Sequence, residues 1–496
     1  MFKVRVSDGL VVHPFVPLLA AAWIWVAWVI WKKTTPGRSG RWVIEWQAWN
    51  IPIILFALVI GGLAISLVIN GVRFGSLSSA GWLLLLKWAL YLAPLPLTAL
   101  LVMRAGRRVL QLVGWLLPCV AFLTLGYTAV RLLQATTGEY FNAYFDGKAM
   151  FLAMGMMGEA LSANGVVVRS DTVSHGAYGM YLVLVLAFSG SLALFRGWNG
   201  VLPVSYAVMQ GIILSPLLML GVLLTGSRAS LVLLAGVLLM FLVLLMINPG
   251  EAQSRLRRIV VAVLVLTMSF CLVLLPRWVG PVLPTLERMQ ETVKQPLDLQ
   301  ASLRGSKVPD FDPGTQVGVT VRNVQSRVWL WGQTVRYIAD HPLTLVTGIG
   351  FDRQRFVEQV VGLPYLGTNT ELKTAHNLYL DVAIKGGVGP LVLLLLFCLW
   401  ALWFAGTCAS TMATEGPAPL LCGMGWVLLS LWPPLLLVSV VGEDLVTDNL
   451  LLHWTMLFGV ALGLRGAIVG SAVPGRMVHL SATAGIGGGP VYITAV

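Results

Sequence analysis

Charge is the scarcest property of this chain. Only 11% of its 496 residues are charged, and acidic side chains are the rarer sign, 21 against 33 basic. So few charges cannot solvate the surface of a soluble fold of this length, which excludes an ordinary globular enzyme. Cysteine is nearly as sparse. Cys119, Cys271, Cys398, Cys408 and Cys422 all lie within or at the end of apolar runs, without CxxC or metal-like spacing, and read as packing residues. No Walker motif, Rossmann fingerprint or GxSxG occurs, which argues against nucleotide-driven chemistry. Asp310 and Asp312 form a DxD in an irregular stretch, and Glu443, Asp444 and Asp448 cluster in a turn. Neither group has a histidine close in sequence, so no metal and no cofactor is expected. The net charge of +12 comes without basic residues interleaved with aromatics, so nucleic acid has no support as a partner; anionic membrane lipids suffice. No internal repeat is evident.

What fills the chain instead is hydrocarbon. Hydrophobic residues make up 57% of it, and the mean hydropathy is +0.83. Apolar stretches near the ~20 residues needed to cross a bilayer core recur throughout. They run roughly from Phe15 to Trp31, Ile51 to Asn70, Gly81 to Met103, Val109 to Leu133, Ser174 to Phe195, Leu202 to Leu224, Ala229 to Asn248, Ile259 to Pro276, Asn377 to Gly406, Ala418 to Val441 and Leu450 to Gly470. The fold expected is an all-α polytopic membrane protein with about 11 to 12 transmembrane helices. Phe15 to Trp31 reads as an anchor, since basic residues follow it and no small-residue cleavage site is evident.

Basic residues in short connections mark the cytoplasmic side. Lys32, Lys33, Arg38 and Arg41, then Arg104, Arg107 and Arg108, then Arg196, then Arg255, Arg257 and Arg258 supply four such sites. The span from Ile259 then runs outward, and Arg277 to Ala375 faces the opposite side, the periplasm of a bacterial cell. The same count leaves the N-terminus outside, against the pull of Lys3 and Arg5; a further span before Arg104 reconciles the two and gives the twelfth helix. The organisation expected is one integral membrane domain over 1–496, with 277–375 as a large periplasmic loop containing helices and 471–496 as a cytoplasmic tail. Within the loop, Ser326 to Pro342 places Val328, Trp331, Val335 and Ile338 at helical spacing, and Pro342 stops the helix. Arg327 and Arg336 fall on opposite sides of that helix, so they cannot serve one surface. Gln295 to Gly318 reads as irregular.

The polar residues worth weighing gather on the loop side. Arg228, in TGSRASLVLL, stands at a helix N-terminus, where free N–H groups favour an anion and a positive charge is otherwise unfavourable. An arginine there either snorkels to the interface or shares an anion with the helix end. His376, in LKTAHNLYLDVAIKGGVGP, also precedes a helix. The dipole disfavours the imidazolium and leaves a neutral ring able to take a proton from a hydroxyl. The plainer reading is an interfacial histidine. Asn377 helps start the helix, and Gly386, Gly387 and Gly389 let it bend or pack closely. Lys373 is either an interfacial anchor or a phosphate contact. Arg169, in the external segment Gln134 to Val173, and His175, in SHGAYG, are weaker candidates. His341 reads as a helix terminator and His453 as a packing residue.

Four stretches taken in order, SHGAYGMYLVL, TGSRASLVLLAG, QSRVWLWGQTVRYIADHPLTLVTGIGFDR and TAHNLYLDVAIKGGVGPLVLLL, resemble the O-antigen ligase family over roughly Ser174 to Leu396. The resemblance implies a GT-C-like membrane glycosyltransferase of the inner membrane with its active site on the periplasmic face. Such an enzyme moves a glycan from undecaprenyl pyrophosphate to a hydroxyl of the lipid A-core oligosaccharide, in lipopolysaccharide biosynthesis. It implies that Arg228 and Arg327 hold the pyrophosphate and that His376 activates the acceptor. Asp444 matches the acidic residue of the turn before the last span. Metal-independent, inverting transfer follows from these roles. O-antigen polymerases and protein O-oligosaccharyltransferases share parts of the pattern. A transporter or flippase of lipid-linked glycans is the alternative of another class, and polar residues gathered on one face without a repeat favour an enzyme over it.

Overall fold

A computed structural model of the chain describes residues 4–7, 10–12, 16–34, 50–75, 79–105, 175–194, 213–224, 228–247, 324–350, 352–363, 374–411, 418–440 and 448–471, with short pieces between 108 and 126. Two short strands, β1 (Val4–Ser7) and β2 (Leu10–Val12), pair antiparallel, with an irregularity between Arg5 and Ser7. Every other regular element among the described residues is helical: α1 (Val16–Thr34), α2 (Asn50–Arg73), α3 (Ser79–Tyr91), α4 (Pro94–Ala105), α5 (His175–Leu194), α6 (Ser215–Leu224) and α7 (Arg228–Ile247). After these come α8 (Val324–Asp340), α9 (Thr344–Thr347), α10 (Arg353–Arg355, continued by a π-helical turn over Phe356–Val361), α11 (Leu378–Gly386), α12 (Val388–Ala409), α13 (Ala418–Val438) and α14 (Asp448–Ser471).

Runs of Leu, Ile and Val become helices here because lipid offers the backbone no hydrogen-bond partner, and a helix satisfies its N–H and C=O groups within the segment. Among the described residues, Ile51–Arg73, Gly81–Arg104, Ala229–Met246, Val388–Ala409 and Pro419–Val438 are long and apolar enough to cross a membrane. Leu18–Val29, Gly114–Leu123, Gly179–Ser191 and Trp454–Ile468 are shorter apolar helices. The chain is a multi-pass, nearly all-helical membrane protein. The expected span from Ile259 to Pro276 lies outside the described residues, and those from Val109 and Leu202 are described only in part.

Two expected spans are interrupted. Gly81 to Met103 is divided by a turn at Leu92 and Ala93, ahead of Pro94, where a helix interior would clash with the ring. Asn377 to Gly406 is divided at Gly387, whose φ of +85° ends α11 before α12 begins. Only α12 is the membrane span; α11 is a buried half-helix above it.

The bundle centre is aromatic, with Trp432 and Trp454 at 5.3 Å between ring centroids and Phe397 and Trp454 at 5.7 Å. Elsewhere small residues bring helices together. Gly459 of α14 lies against Leu95 and Thr98 of α4, Gly463 against Ala99 and Val102, and Gly466 against Met103. The contacts advance together along both helices, so α4 and α14 run parallel with a glycine seam between them. Gly62 of α2 receives Pro390 of α12, and Phe56 meets Phe397, so α2 and α12 run antiparallel.

A second, smaller core joins the loop helices to α11. Trp329 and Leu330 of α8, Ile349, Phe356, Val357 and Val360, Ala375 and Ile384 are buried together. The buried side of α8 is therefore not centred on the stripe read from sequence. Val328 is buried, but Val335 is 54% exposed, and Trp329, Leu330 and Thr334 take the inner positions instead. The phase differs because α8 packs on the half-helix α11 and the π-turn rather than on a flat apolar surface.

Candidate active site

The turn from Thr374 to Leu378 is held by hydrogen bonds from three sides. Trp331 of α8 donates its indole N–H to the Ala375 carbonyl at 3.0 Å, and the Ala375 N–H donates to Asp381 Oδ1 at 3.2 Å. Asn377, in extended conformation, caps α11 by accepting the Leu380 N–H at 3.0 Å. The Leu378 N–H donates to the Ser439 carbonyl, 2.9 Å away at the end of α13, and the Tyr379 hydroxyl donates to the Leu436 carbonyl at 3.0 Å. Between these pinned neighbours His376 adopts φ +49°, a left-handed conformation that histidine enters more readily than most residues. Thr374, Ala375, Asn377 and Leu378 are all buried, whereas His376 is half-exposed. One side chain of the turn thus opens outward, in a direction set by the backbone on both sides.

Beneath the turn lies a buried ion pair. Lys385 Nζ donates to Asp381 Oδ2 at 2.6 Å, one helical turn away on α11, with both side chains almost fully buried. Removing two charges from water is costly unless each is paired and otherwise hydrogen-bonded. Here Asp381 is used twice, by Lys385 and by the Ala375 N–H. The lower end of α11 would leave carbonyls without partners. Those of Ile384 and Lys385 accept from the N–H groups of Ile349 at 2.8 Å and Gly350 at 3.1 Å, and the Lys385 carbonyl also accepts from Ser66 Oγ at 2.7 Å. Gly348 and Gly350, both at positive φ, allow this approach; a Cβ on Gly348 would run into the Lys385 carbonyl.

Arg327 stands one turn before Trp331 on α8, so the two side chains share a face, and Trp331 touches the residue next to His376. Arg327 is half-buried, while Arg336, on the opposite side, is exposed. The far end of α8 is held separately. The Tyr337 hydroxyl donates to Gln359 Oε1 at 3.0 Å, and its ring stacks on His341 at 4.4 Å between centroids. Burial pushes the Tyr337 phenol above its usual range, a shift that the nearby Arg73 opposes. Buried Arg355 lies 4.8 Å over the Phe74 ring and pairs with Asp352 at 3.8 Å, tying the π-turn to the end of α2.

Arg228 is the first residue of α7 and His175 the first of α5. Gly221 of α6 lies against Leu182, and Gly190 of α5 against Phe241 of α7. Counted from the turn joining α6 to α7, these contacts fall at matching depths on both sides. The starts of α5 and α7 therefore lie at one level. The side chains of Arg228 and His175 are not described, and Arg169, Lys373 and Asp444 lie outside the described residues.

Residues 213–398 match the family model described as O-antigen ligase. Over these residues the chain is similar to an O-antigen ligase domain. The domain contains Arg228, Arg327, Lys373, His376 and Asn377, whereas Arg169, His175 and Asp444 fall outside it. The similarity supports a membrane enzyme of the ligase or polymerase type in O-antigen biosynthesis. A comparison with curated proteins gave no match.

Trp331, Asp381 and Lys385, inside the matched residues, and the Ser66–Asn70 pair on α2, outside them, are structural partners of the site that the sequence does not single out. Asp381 and Lys385 did carry a signal. An acid four residues before a base is a favourable helix pair, and two ionisable residues in an apolar run are too costly to stand alone.

Proposed function

We propose that the protein is an O-antigen ligase, transferring a glycan from undecaprenyl pyrophosphate to a hydroxyl of the lipid A-core oligosaccharide at the periplasmic face of the inner membrane. The observation that carries this reading is the Trp331–Ala375 hydrogen bond, which joins the helix bearing Arg327 to the turn bearing His376 inside the ligase domain. His376 removes the proton as the acceptor oxygen attacks the anomeric carbon. The bond from that carbon to the pyrophosphate oxygen breaks, and the configuration inverts. Arg327 and Arg228 stabilise the charge that collects on the departing pyrophosphate.

The position of Arg228 fits this role. Gly236 of α7 packs on Pro434 of α13, about two turns from Arg228 and about one turn from Ser439. With α7 and α13 crossing in opposite directions, as the alternation of spans requires, Arg228 comes within about one helical turn of the level of Ser439, whose carbonyl holds the start of α11. The 277–375 segment then acts as a periplasmic loop whose helices cover the reaction from water. Lys373, Arg169, His175 and Asp444 are further substrate contacts in this scheme, and Asn377 holds the turn.

The test is transfer in proteoliposomes supplied with lipid-linked glycan and core acceptor. His376→Ala, Arg228→Ala and Arg327→Ala each lose activity, and chelation leaves the wild type active. Normal transfer by His376→Ala, or inactivation by chelator, overturns the mechanism. Gene deletion separates ligase from polymerase: a ligase mutant loses every glycan-capped lipopolysaccharide species, whereas a polymerase mutant keeps single-unit caps.

A further inference from the structure

The segment between Asp340 and Asp352 holds no charged side chain. Within it, α9 and its flank present Leu343 at 66% exposure, Leu345 at 45% and Val346 at 71%. These are not on top of the bundle. The Thr347 carbonyl accepts from Asn70 Nδ2 at 3.0 Å and from Ser66 Oγ, while α2 continues upward to Arg73. At 1.5 Å per residue, α9 lies roughly 5–10 Å below the end of a helix that crosses the membrane. Its other neighbour is Gly387, where a Cβ would meet the carbonyls of Val346 and Leu345, immediately before α12 enters its span at Val388. Exposed Val72, Ile69 and Val388 on those two spanning helices continue the apolar surface of α9 without a break in character.

The backbone of this segment is equipped for a place without water. The N–H groups from Thr344 to Gly350 all donate within the protein, at 2.8 to 3.1 Å, and the Thr347 hydroxyl donates to the Leu343 carbonyl at 3.1 Å. Irregular backbone at membrane depth is tolerated only when its polar groups find partners inside the protein. The geometry points to α9 as a re-entrant knob, with Leu343, Leu345 and Val346 inserted among the acyl chains of the outer leaflet beside the seam of α2 and α12. The partner is the bilayer itself, recognised by apolar area rather than by headgroup. Exposed Arg73 and Phe74, a turn higher, sit at the depth where basic and aromatic residues meet the headgroups. Since α8 leads directly into α9, insertion also fixes the height of α8 relative to the membrane.

Site-directed spin labels decide this. Labels at Leu343→Cys and Val346→Cys, in protein whose native cysteines are replaced and which is reconstituted in liposomes, are compared with labels at Val392→Cys on the exposed face of α12 and Asp340→Cys at the exposed end of α8. Relaxation by oxygen over that by a water-soluble nickel complex at 343 and 346 is expected to match position 392. A match to position 340 overturns the inference, and so does protection from both reagents, which would mean that protein covers the knob. Should the cysteine-free protein not fold, a photoreactive benzoylphenylalanine at position 346 in the otherwise native chain gives the same decision: lipid adducts support insertion, and adducts to protein or none reject it.

Discussion

His376 combines a half-exposed side chain with a backbone that most residues resist. A left-handed conformation costs an L-residue about 1–2 kcal/mol, a cost that glycine avoids. His376→Gly should therefore melt at the wild-type temperature or above, while transfer falls by about 100-fold or more, the scale of a lost general base. His376→Ala should lose as much activity without the gain in stability. A stable and fully active glycine variant would sink the base role. The pair below the turn makes an opposite kind of prediction. Asp381→Asn or Lys385→Met alone leaves a charge uncompensated in a dry site and should destabilise by about 3–5 kcal/mol. The double variant, which removes both charges, should recover most of that loss in denaturant unfolding. Two singles that simply add would show that the charges do not interact.

At the scale of elements, the clasp between α8 and α11 is what brings the site together. Trp331→Phe keeps the ring and deletes the N–H, so unfolding should shift by only about 0.5–1.5 kcal/mol. Turnover should drop more than that small shift accounts for, because the turn beside His376 loses one of its anchors; unchanged kcat would show the clasp to be structural only. Gly348→Ala forces a side chain into positive φ against the Lys385 carbonyl and should cost about 1–3 kcal/mol or more. Faster proteolysis between 341 and 363, with the bundle still folded, is the readout. These elements also show what a sequence can and cannot convey. Spans such as α2, α7 and α12 were legible because bilayer thickness sets a length that hydropathy reveals. The helix over 324–340 was legible through its period and its terminal proline. The break at Gly387 was not, since three nearby glycines permit a bend and only the approach of Val346 selects one of them. The phase of α8 was hidden for a related reason: which stripe is buried depends on a partner, α11, that lies far along the chain. The sequence offers His376 and Arg327 only as separate candidates, whereas the bond through Trp331 that relates their elements belongs to tertiary structure.

For the whole molecule, the α4–α14 seam is the most demanding contact. A Cβ on Gly463 would already stand 2.6 Å from the Ala99 carbonyl, so Gly463→Leu should separate the two helices at a cost of about 1–3 kcal/mol or more. Size-exclusion profile and melting temperature in detergent should both deteriorate, whereas Leu399→Ala on the 61% exposed, lipid-facing side of α12 should leave them unchanged. The seam also orders events during biosynthesis. Thr98 of α4 bonds to the Met456 carbonyl of α14 across 358 positions; at about 5–20 residues per second, the ribosome delivers the second roughly 20–70 s after the first. For that interval α4 resides in the bilayer with its Leu95, Thr98, Ala99 and Val102 face turned to lipid or any passing helix. The bundle closes only when α14 is inserted, and misassembly before then would involve α4 rather than the loop helices around His376.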